Sequence, residues 1–386
     1  MRLKNCNAQE FIAGLKGRKV ICFGAGSTLI EAEYEVLKIE NLEKHIAFFI
    51  DNDSKKHGLK YKYRGFEYDI KSVEALNNIS VENYILLITC AFYVEIYKQL
   101  RDMDSIKEME YYMYDMVCSY PELDVENFFT KEIEKYPYKE WRKVLQDLQL
   151  KARYKGRKCF IIGNGPSLKV EDLEMLKGEM TFAVNRIFKL FGDTDWRPTF
   201  YLCTDYLTYG VDHEAINKID AQLKFIPIER APAAGIIYDE VTYYNRVVNC
   251  VKVKNGEIIR SKEFEFSDNM EEVIWGGQTV LYDALQMAVY MGFSEIYLYG
   301  VDNAYKREVL EDGTIIENDV KEDHFCSNYD EGIESISAEV APWGAEFAFR
   351  KAKEECEVRN ITIKNATRGG KLEVFERISF EEALKR

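Results

Sequence analysis

A chain of 386 residues with 47% hydrophobic and 31% charged residues is long enough to form two domains, each with its own core. Its formal net charge of −14 excludes a general nucleic-acid-binding protein, and no run approaches the roughly 18 apolar residues of a membrane span. The nine cysteines form no CxxC pair and the first residues lack a signal-peptide core, so we expect a cytoplasmic protein with free thiols.

The first 116 residues alternate between short apolar runs and amphipathic stretches. This alternation predicts a small Rossmann-like domain, 1–116, with a parallel, doubly wound sheet. The expected strands and helices are, in chain order, strand 19–23, helix 29–39, strand 46–50, strand 84–89 and helix 94–103.

Two parts of a dinucleotide-binding fingerprint occur in this domain. Gly24 and Gly26 follow the first strand and Asp51 follows the second, whereas Leu29 occupies the third glycine position of the fingerprint. The stretch resembles the small Rossmann domains of bacterial polysaccharide-biosynthesis proteins. Two roles stay open for this domain. It would bind a nucleotide or nucleotide-sugar, or it would serve a purely structural or assembly role.

The region 117–155 has helical spacing with many charged residues, which predicts a helical linker, with the first helices of the second domain as the alternative. From 156 to 386 a second alternating series predicts a second Rossmann-like domain, so the fold class is α/β with two tandem, mainly parallel sheets. A loop-rich insertion is expected at 229–275. The expected elements are strands at 158–162, 181–184, 199–204, 223–228, 295–299 and 360–364, and helices at 167–176, 279–291 and 338–355.

The segment Lys158–Leu168 contains a strand, a glycine-rich loop and a predicted helix start. Gly163, Asn164 and Gly165 interrupt the apolar run, and Pro166 suits the first position of a helix. Because glycines permit close approach and helix N-terminal amides suit an anion, the segment is a candidate phosphate cradle. A tight turn without a ligand is the alternative.

A second candidate edge lies downstream. Thr279 precedes an apolar helix that is expected to end at Gly292, and the strand at 295–299 is followed by Gly300 and Asp302. Because ligands of open α/β sheets bind at the carboxyl ends of the strands, these residues and the glycine loop predict a crevice.

These motifs carry a family resemblance that covers about 157–378. The loop Gly163–Leu168, Asn185 after a strand, and the segment 292–302 resemble the 6-hydroxymethylpterin pyrophosphokinase-like (MptE-like) family. That family includes the motility-accessory-factor glycosyltransferases and is similar to the bacterial CMP-sialic-acid sialyltransferases. The resemblance implies either sugar transfer or pterin pyrophosphorylation.

The resemblance also implies roles for individual residues. Tyr305 matches, with a displacement of one residue, a tyrosine that stabilises the leaving phosphate, whereas a second such tyrosine has no clear counterpart. Gly276, Gly277 and Gln278 replace an arginine and a serine that the sialyltransferases carry before the helix. The residues implied in nucleotide or donor binding are Gly163, Asn164, Gly165, Ser167, Asn185, Asp205, Thr279, Gly300 and Asp302.

His324 is a candidate general base. It is one of four histidines and lies in a polar loop, next to Asp323, after the Gly300–Asp302 strand end. A structural loop histidine is the alternative, but the resemblance implies a base at this point. An imidazole with a pKa near neutrality suits deprotonation of an acceptor hydroxyl.

Three functions follow from these observations. The first is a glycosyltransferase that moves a nonulosonic-acid-type sugar from a CMP-activated donor to a glycan or protein acceptor in bacterial surface-polysaccharide biosynthesis. It would need no cofactor and no metal, because no DxD pair follows a nucleotide strand in this half. The second is an ATP- and magnesium-dependent pterin pyrophosphokinase. The third is a non-catalytic nucleotide-sugar-binding protein; self-association stays open for all three.

Overall fold

The structure is a computed structural model. It describes residues 2–26, 28–32, 38–90, 92–119, 121–125, 140–228, 238, 240–248, 251–254, 257–260, 264–310, 314–333 and 342–386. In these segments no helix is both long and apolar enough to cross a bilayer.

Contacts divide the chain into two compact units that are assembled from non-contiguous segments. The first unit comprises Met1–Tyr138, Glu229–Ile237 and Cys250–Ser261. The second unit comprises Lys139–Ile228, Tyr238–Asn249 and Lys262–Arg386. The sequence predicted a domain at 1–116, a linker at 117–155 and a domain at 156–386. That these parts fold independently stays a prediction.

The strands of the described residues are short and mostly apolar. In chain order they are β1 (Arg2–Leu3), β2 (Lys19–Phe23), β3 (Ile46–Ile50), β4 (Lys60–Tyr63), β5 (Phe66–Lys71), β6 (Tyr84–Ile88), β7 (Glu110–Met113), β8 (Lys158–Ile162), β9 (Thr181–Val184), β10 (Phe200–Leu202), β11 (Leu223–Pro227), β12 (Thr242–Tyr244), β13 (Arg246–Val248), β14 (Val251–Lys254), β15 (Glu257–Arg260), β16 (Ile274–Gly276), β17 (Glu295–Tyr299), β18 (Arg307–Val309), β19 (Ile315–Glu317), β20 (Thr362–Asn365) and β21 (Glu376–Arg377).

The α-helices of the described residues are α1 (Ala8–Gly14), α2 (Thr28–Ala32), α3 (Tyr93–Arg101), α4 (Tyr114–Ser119), α5 (Trp141–Asp147), α6 (Val170–Met175), α7 (Tyr206–Asn217), α8 (Val280–Met291), α9 (Pro342–Val358) and α10 (Phe380–Lys385). Several 3₁₀-helices connect these elements, and the one that matters for the site is Asn185–Leu190, directly after β9.

The first unit contains one mixed sheet in the order β1-β7-β6-β2-β3-β5-β4-β15-β14. The strands from β1 to β5 in that order pair in parallel, whereas β4 pairs antiparallel with β5. The hairpin β14–β15 extends this sheet, because β15 pairs in parallel with β4. The predicted loop-rich insertion at 229–275 is therefore partly wrong, since this segment contains strands.

The second unit contains an eight-stranded sheet in the order β12-β11-β10-β9-β8-β17-β20-β21. All of its neighbouring strands pair in parallel. From β8 the chain adds strands in one direction, and from β17 it adds them in the other. The switch point of this doubly wound sheet thus lies between β8 and β17.

Helix α8 shows why the sequence folds as it does next to the switch point. All twelve of its residues are buried, which explains its nearly continuous apolar sequence. The Thr279 hydroxyl caps its N-terminus by accepting a hydrogen bond from the Leu281 N–H. Gly292 ends it with a φ of 88°, a left-handed conformation that suits glycine.

The predicted α/β fold class with two mainly parallel sheets is confirmed. One local prediction is wrong: the helix expected from 167 begins at Val170, and Pro166 and Ser167 lie in a turn. The expected helix 29–39 falls partly outside the described residues.

Candidate functional site

A cleft of about 160 Å³ lies in the second unit at the carboxyl ends of β8 and β17. The two strands pair in register, with Ile162 opposite Tyr299, so the loops after them leave the sheet at the same level. Such a switch point is where ligands bind in doubly wound sheets. The cleft is lined by Gly163, Asn164, Gly165, Val184, Asn185, Thr279, Val280, Leu281, Gly300, Val301, Asp302, Asn303, Ala304, Tyr305, Asp323, His324, Tyr329, Ala345 and Phe349.

Most of the residues that the sequence suggested for this half line the cleft, and two do not. Ser167, at the end of the loop after β8, donates a hydrogen bond to Asp302. Asp205 precedes α7, where its carboxylate accepts a hydrogen bond from the Thr208 hydroxyl at 2.7 Å. The structure therefore places Asp205 directly before α7 and outside the cleft lining.

The glycines of the loop after β8 allow close packing between protein segments. A Cβ at Gly163 would lie 2.5 Å from the carbonyl oxygen of Gly300. A Cβ at Gly165 would lie 2.0 Å from a carboxylate oxygen of Asp302 and 2.9 Å from the same carbonyl oxygen. The sequence had suggested that these glycines permit approach of a phosphate, whereas in the structure they permit approach of the loop after β17.

Several polar groups of this loop are already bonded within the protein. The Gly163 N–H donates to the Tyr299 carbonyl at 2.8 Å and the Gly165 N–H donates to the Gly300 carbonyl at 2.9 Å. The Ser167 hydroxyl and N–H donate to one oxygen of Asp302, at 2.7 and 3.4 Å. Because a carboxylate bonds the donors of Ser167, the part of the loop at 165–167 is not available as the expected phosphate cradle.

Substituting Gly163 by alanine should lower the free energy of unfolding by about 1–3 kcal/mol, the usual cost of overpacking. The added methyl group would press on the backbone of Gly300, which cannot move without disturbing β17. Urea denaturation measures the change. The matched control is Gly192→Ala in the same unit, where an added Cβ meets nothing within 4 Å. Equal stability of the two variants would contradict the packing role.

The N-terminus of α8 forms another wall of the cleft through Thr279, Val280 and Leu281. The partial positive charge of a helix N-terminus favours an anionic ligand group there. Gly277 has a packing role just before this helix, since a Cβ would lie 2.5 Å from the Tyr282 ring. The start of α8 thus presents a helix N-terminus to the cleft, whereas the helix after β8 begins at Val170, outside the cleft lining.

His324 lines the cleft, as the sequence suggested. Its ring stacks on the Tyr329 ring with centroids 3.8 Å apart and an interplanar angle of 22°. Burial lowers the His324 pKa below 6.5, against the opposing effects of Asp330 and Asp323. The imidazole is therefore mostly neutral at pH 7, the form that accepts a proton.

Tyr305 also lines the cleft and keeps its proton at neutral pH. Burial raises the Tyr305 pKa to about 12, and the carboxylates of Asp323, Asp302 and Glu308 add to this effect. A protonated phenol is a neutral hydrogen-bond donor that can stabilise a developing negative charge. The role in leaving-group stabilisation that the resemblance implied stays a prediction.

Tyr329 and Arg186 are site residues to which the sequence assigned no role. The Tyr329 hydroxyl accepts a hydrogen bond from the Asn164 side chain at 2.7 Å, and the same amide donates to the Val184 carbonyl. Arg186 lies behind Tyr329 and is 1% exposed. Tyr329 could have been found from the sequence, because it lies in the same polar loop as His324. Nothing in the local sequence distinguishes Arg186 from a surface arginine.

The charged side chains among the described residues of the cleft lining are Asp302 and Asp323, and none is a lysine or arginine. An anionic ligand group would thus depend on neutral donors, which include the Tyr305 hydroxyl, the side-chain amides of Asn185 and Asn303, and the backbone at the start of α8. No group of three or more histidine, cysteine, aspartate or glutamate side chains within the described segments could hold a metal ion.

The candidate site of the first unit is built around Asp51. Its carboxylate accepts hydrogen bonds from the N–H groups of Ala25 and Asp53, both at 2.8 Å, and pairs with Lys56 at 2.9 Å. Gly24 packs tightly, since a Cβ there would lie 2.7 Å from the Cβ of Cys90, whereas Gly26 has open space. Asp51 is thus bonded within the protein on both oxygens, and a ribose-binding role stays a prediction.

The fold and the cleft at the switch point define a doubly wound α/β protein with a ligand-site geometry in its second unit. Residues 135–308 match the family described as 6-hydroxymethylpterin diphosphokinase MptE-like. This segment of the chain is therefore similar to the MptE-like family, and the resemblance inferred from the sequence is confirmed for it.

One solved structure is similar over 97% of this chain, at 13% sequence identity and a TM-score of 0.35. It is that of a MAf glycosyltransferase from Magnetospirillum magneticum AMB-1, and the similar region spans 61% of that protein's length. No curated protein matches the chain significantly.

Proposed function

We propose that the second unit is a glycosyltransferase domain that moves a nonulosonic-acid-type sugar from a CMP-activated donor to a glycan or protein acceptor, in surface-polysaccharide biosynthesis. The observation that carries the proposal is one cleft lined by a mostly neutral imidazole, a protonated phenol and a helix N-terminus. These three groups are what displacement of a phosphate leaving group by a hydroxyl needs.

In the proposed reaction an acceptor hydroxyl oxygen attacks the anomeric carbon of the donor. The bond between that carbon and the phosphate oxygen breaks, and CMP leaves with the bonding electrons. His324 takes the hydroxyl proton, while the Tyr305 hydroxyl donates to the phosphate oxygen. Positioning of the two substrates supplies much of the rate, as in other transfers without a covalent intermediate.

The size and charge of the cleft bear on how the donor binds. A volume of about 160 Å³ is below the roughly 300–1,000 Å³ of most ligand pockets, so a nucleotide-sugar would extend beyond the cleft. Because the charged lining groups are carboxylates that also act on Tyr305, the proposal assigns the phosphate to the N-terminus of α8, with the neutral Tyr305 hydroxyl as a hydrogen-bond donor. Metal independence belongs to the proposal and is tested by transfer in the presence of EDTA.

CMP should raise the melting temperature of the protein, because a ligand that binds the folded form stabilises it by about 2.7 kcal/mol at 100 times its dissociation constant. Cytidine is the matched control, since it lacks the phosphate that the α8 N-terminus would bind. Thermal shifts with CMP, CDP, UDP, GDP and ATP, the last with and without magnesium, measure the preference. Two results together would support transfer: CMP raises the melting temperature, and the protein releases CMP from a CMP-nonulosonate donor.

The family match favours one alternative, a pterin diphosphokinase. Asp302 and Asp323 both line the cleft, and magnesium is commonly held by one or two carboxylates together with substrate phosphates. Stabilisation by ATP with magnesium but not by CMP would replace the glycosyltransferase proposal by this one. Stabilisation by CMP without turnover on any donor would instead indicate a nucleotide-sugar-binding protein.

A further inference from the structure

Arg186 is a buried charged side chain that follows the cleft-lining residue Asn185. It begins the 3₁₀-helix after β9 together with Asn185, and 1% of its surface is exposed. Its Nε donates to Asp212 on α7 at 2.6 Å. One terminal nitrogen donates to the carbonyl of Tyr329, and the other has no partner among the described residues. Burial of a guanidinium is costly unless it is paired in this way, so the arrangement calls for an explanation.

The contacts of Arg186 converge on Tyr329. The side chain bonds the Tyr329 carbonyl, and the Arg186 backbone N–H lies 3.4 Å from the Tyr329 hydroxyl. The Asn164 side chain bonds the same hydroxyl at 2.7 Å. Both ends of Tyr329 are therefore held, and its ring is the surface on which His324 stacks at 3.8 Å.

We propose that Arg186 is a positioning residue that, anchored by Asp212, holds Tyr329 in place and thereby sets the position of the His324 imidazole in the cleft. The inference deepens the proposed function, because it rests on His324 as the base. Lysine could not replace Arg186, since a single ammonium lacks the planar fork that reaches a carboxylate and a carbonyl together.

The groups that act on His324 come from several elements. They are the carboxylates of Asp323 and Asp330, the Asn164 backbone, the ring of Tyr329 and the charge of Arg186. The Arg186 charge lowers the His324 pKa and the two carboxylates raise it. Loss of the Arg186 charge shifts the His324 pKa in either case, so the stacking of His324 on Tyr329 is the property that an arginine without a positioning role would leave unchanged.

The test is NMR of the full chain with ¹³C-labelled histidine, in which the signal of His324 is assigned by its loss in His324→Gln. In Arg186→Lys we expect the ring-current shift caused by Tyr329 to disappear, because the tyrosine is no longer held at both ends. In Arg186→Met, which removes the charge, we also expect the His324 pKa to rise. CMP release should fall by about 100-fold in turnover number with KM nearly unchanged.

The control is Arg246→Lys, which alters another buried arginine–aspartate pair of the same unit, Arg246–Asp283. It should lower stability and leave the His324 signal unchanged. A folded Arg186→Lys with an unchanged His324 shift would overturn the proposal. If neither Arg186 variant folds, Asp212→Asn weakens the anchor at nearly constant shape, and an unchanged stack in that variant would overturn it equally. If the NMR changes occur as expected but the unchanged protein releases no CMP, the positioning role of Arg186 is retained and the glycosyltransferase proposal is rejected.

Discussion

Replacing His324 by alanine is expected to lower the turnover number for CMP release by about 100- to 10,000-fold, the usual contribution of a positioned acid–base group. The imidazole lines the cleft and is mostly neutral at pH 7 because burial lowers its pKa. CMP binding should change little, since the loop after β8 and the start of α8 remain intact. A coupled CMP-release assay and a CMP titration measure the two quantities separately.

The pH dependence of the unchanged protein gives the same prediction a second readout. Only the neutral imidazole accepts a proton, so activity should rise as pH increases through a pKa below 6.5 and then level off. This acid limb should be absent from the residual activity of His324→Ala. His45→Ala in the first unit is the control and should behave like the unchanged protein. Full turnover in His324→Ala would remove this residue from the mechanism.

Replacing Arg246 by methionine is expected to lower the free energy of unfolding by about 3–5 kcal/mol near neutral pH. Arg246 donates to Asp283 at 2.7 Å, and the Tyr244 hydroxyl donates to the same oxygen at 2.9 Å. Asp283 has no exposed surface, so loss of Arg246 would leave a buried carboxylate without its countercharge. Urea denaturation measures the loss.

The sign of the pH effect checks the cause of this loss. Burial already raises the Asp283 pKa, and removal of the guanidinium would raise it further. Protonation then relieves the unpaired charge, so the stability difference between Arg246→Met and the unchanged protein should shrink as pH falls. The double variant Arg246→Met with Asp283→Asn should recover part of the stability, because it carries no buried charge at this position. A double variant as unstable as the single one would contradict the explanation.

Several central strands of both sheets could be predicted, because strands buried on both faces are nearly continuous apolar runs. The runs at 19–23, 46–50 and 158–162 coincide with β2, β3 and β8. The limits of α8 were equally local, since Thr279 caps its start and Gly292 adopts the left-handed conformation at its end. Part of the cleft lining also followed from the sequence, because the carboxyl ends of parallel strands meet at one edge, whereas Asn185 and Tyr305 were suggested by the family resemblance.

The hydrogen bonding of the glycine loop after β8 depends on tertiary structure. Ser167 and the carboxylate that accepts from it are separated by 135 residues, so no local pattern shows that Asp302 bonds the loop. For the same reason the helix predicted from 167 starts instead at Val170. The hydrogen bond that Asp51 accepts from Ala25 was likewise not predictable from local sequence, because Ala25 lies 26 residues earlier in the chain.

The sequence alone thus determined the α/β class, the family resemblance and the residues at one sheet edge, because short-range patterns of burial, capping and glycine encode them. Only the tertiary structure decided that the loop after β8 is closed by Asp302 and that His324 stacks on Tyr329. It also showed that Arg186, 143 residues from Tyr329, donates a hydrogen bond to the carbonyl of that tyrosine. These contacts depend on the order of strands in the sheet, which brings together side chains whose separation along the chain carries no information about their distance in space.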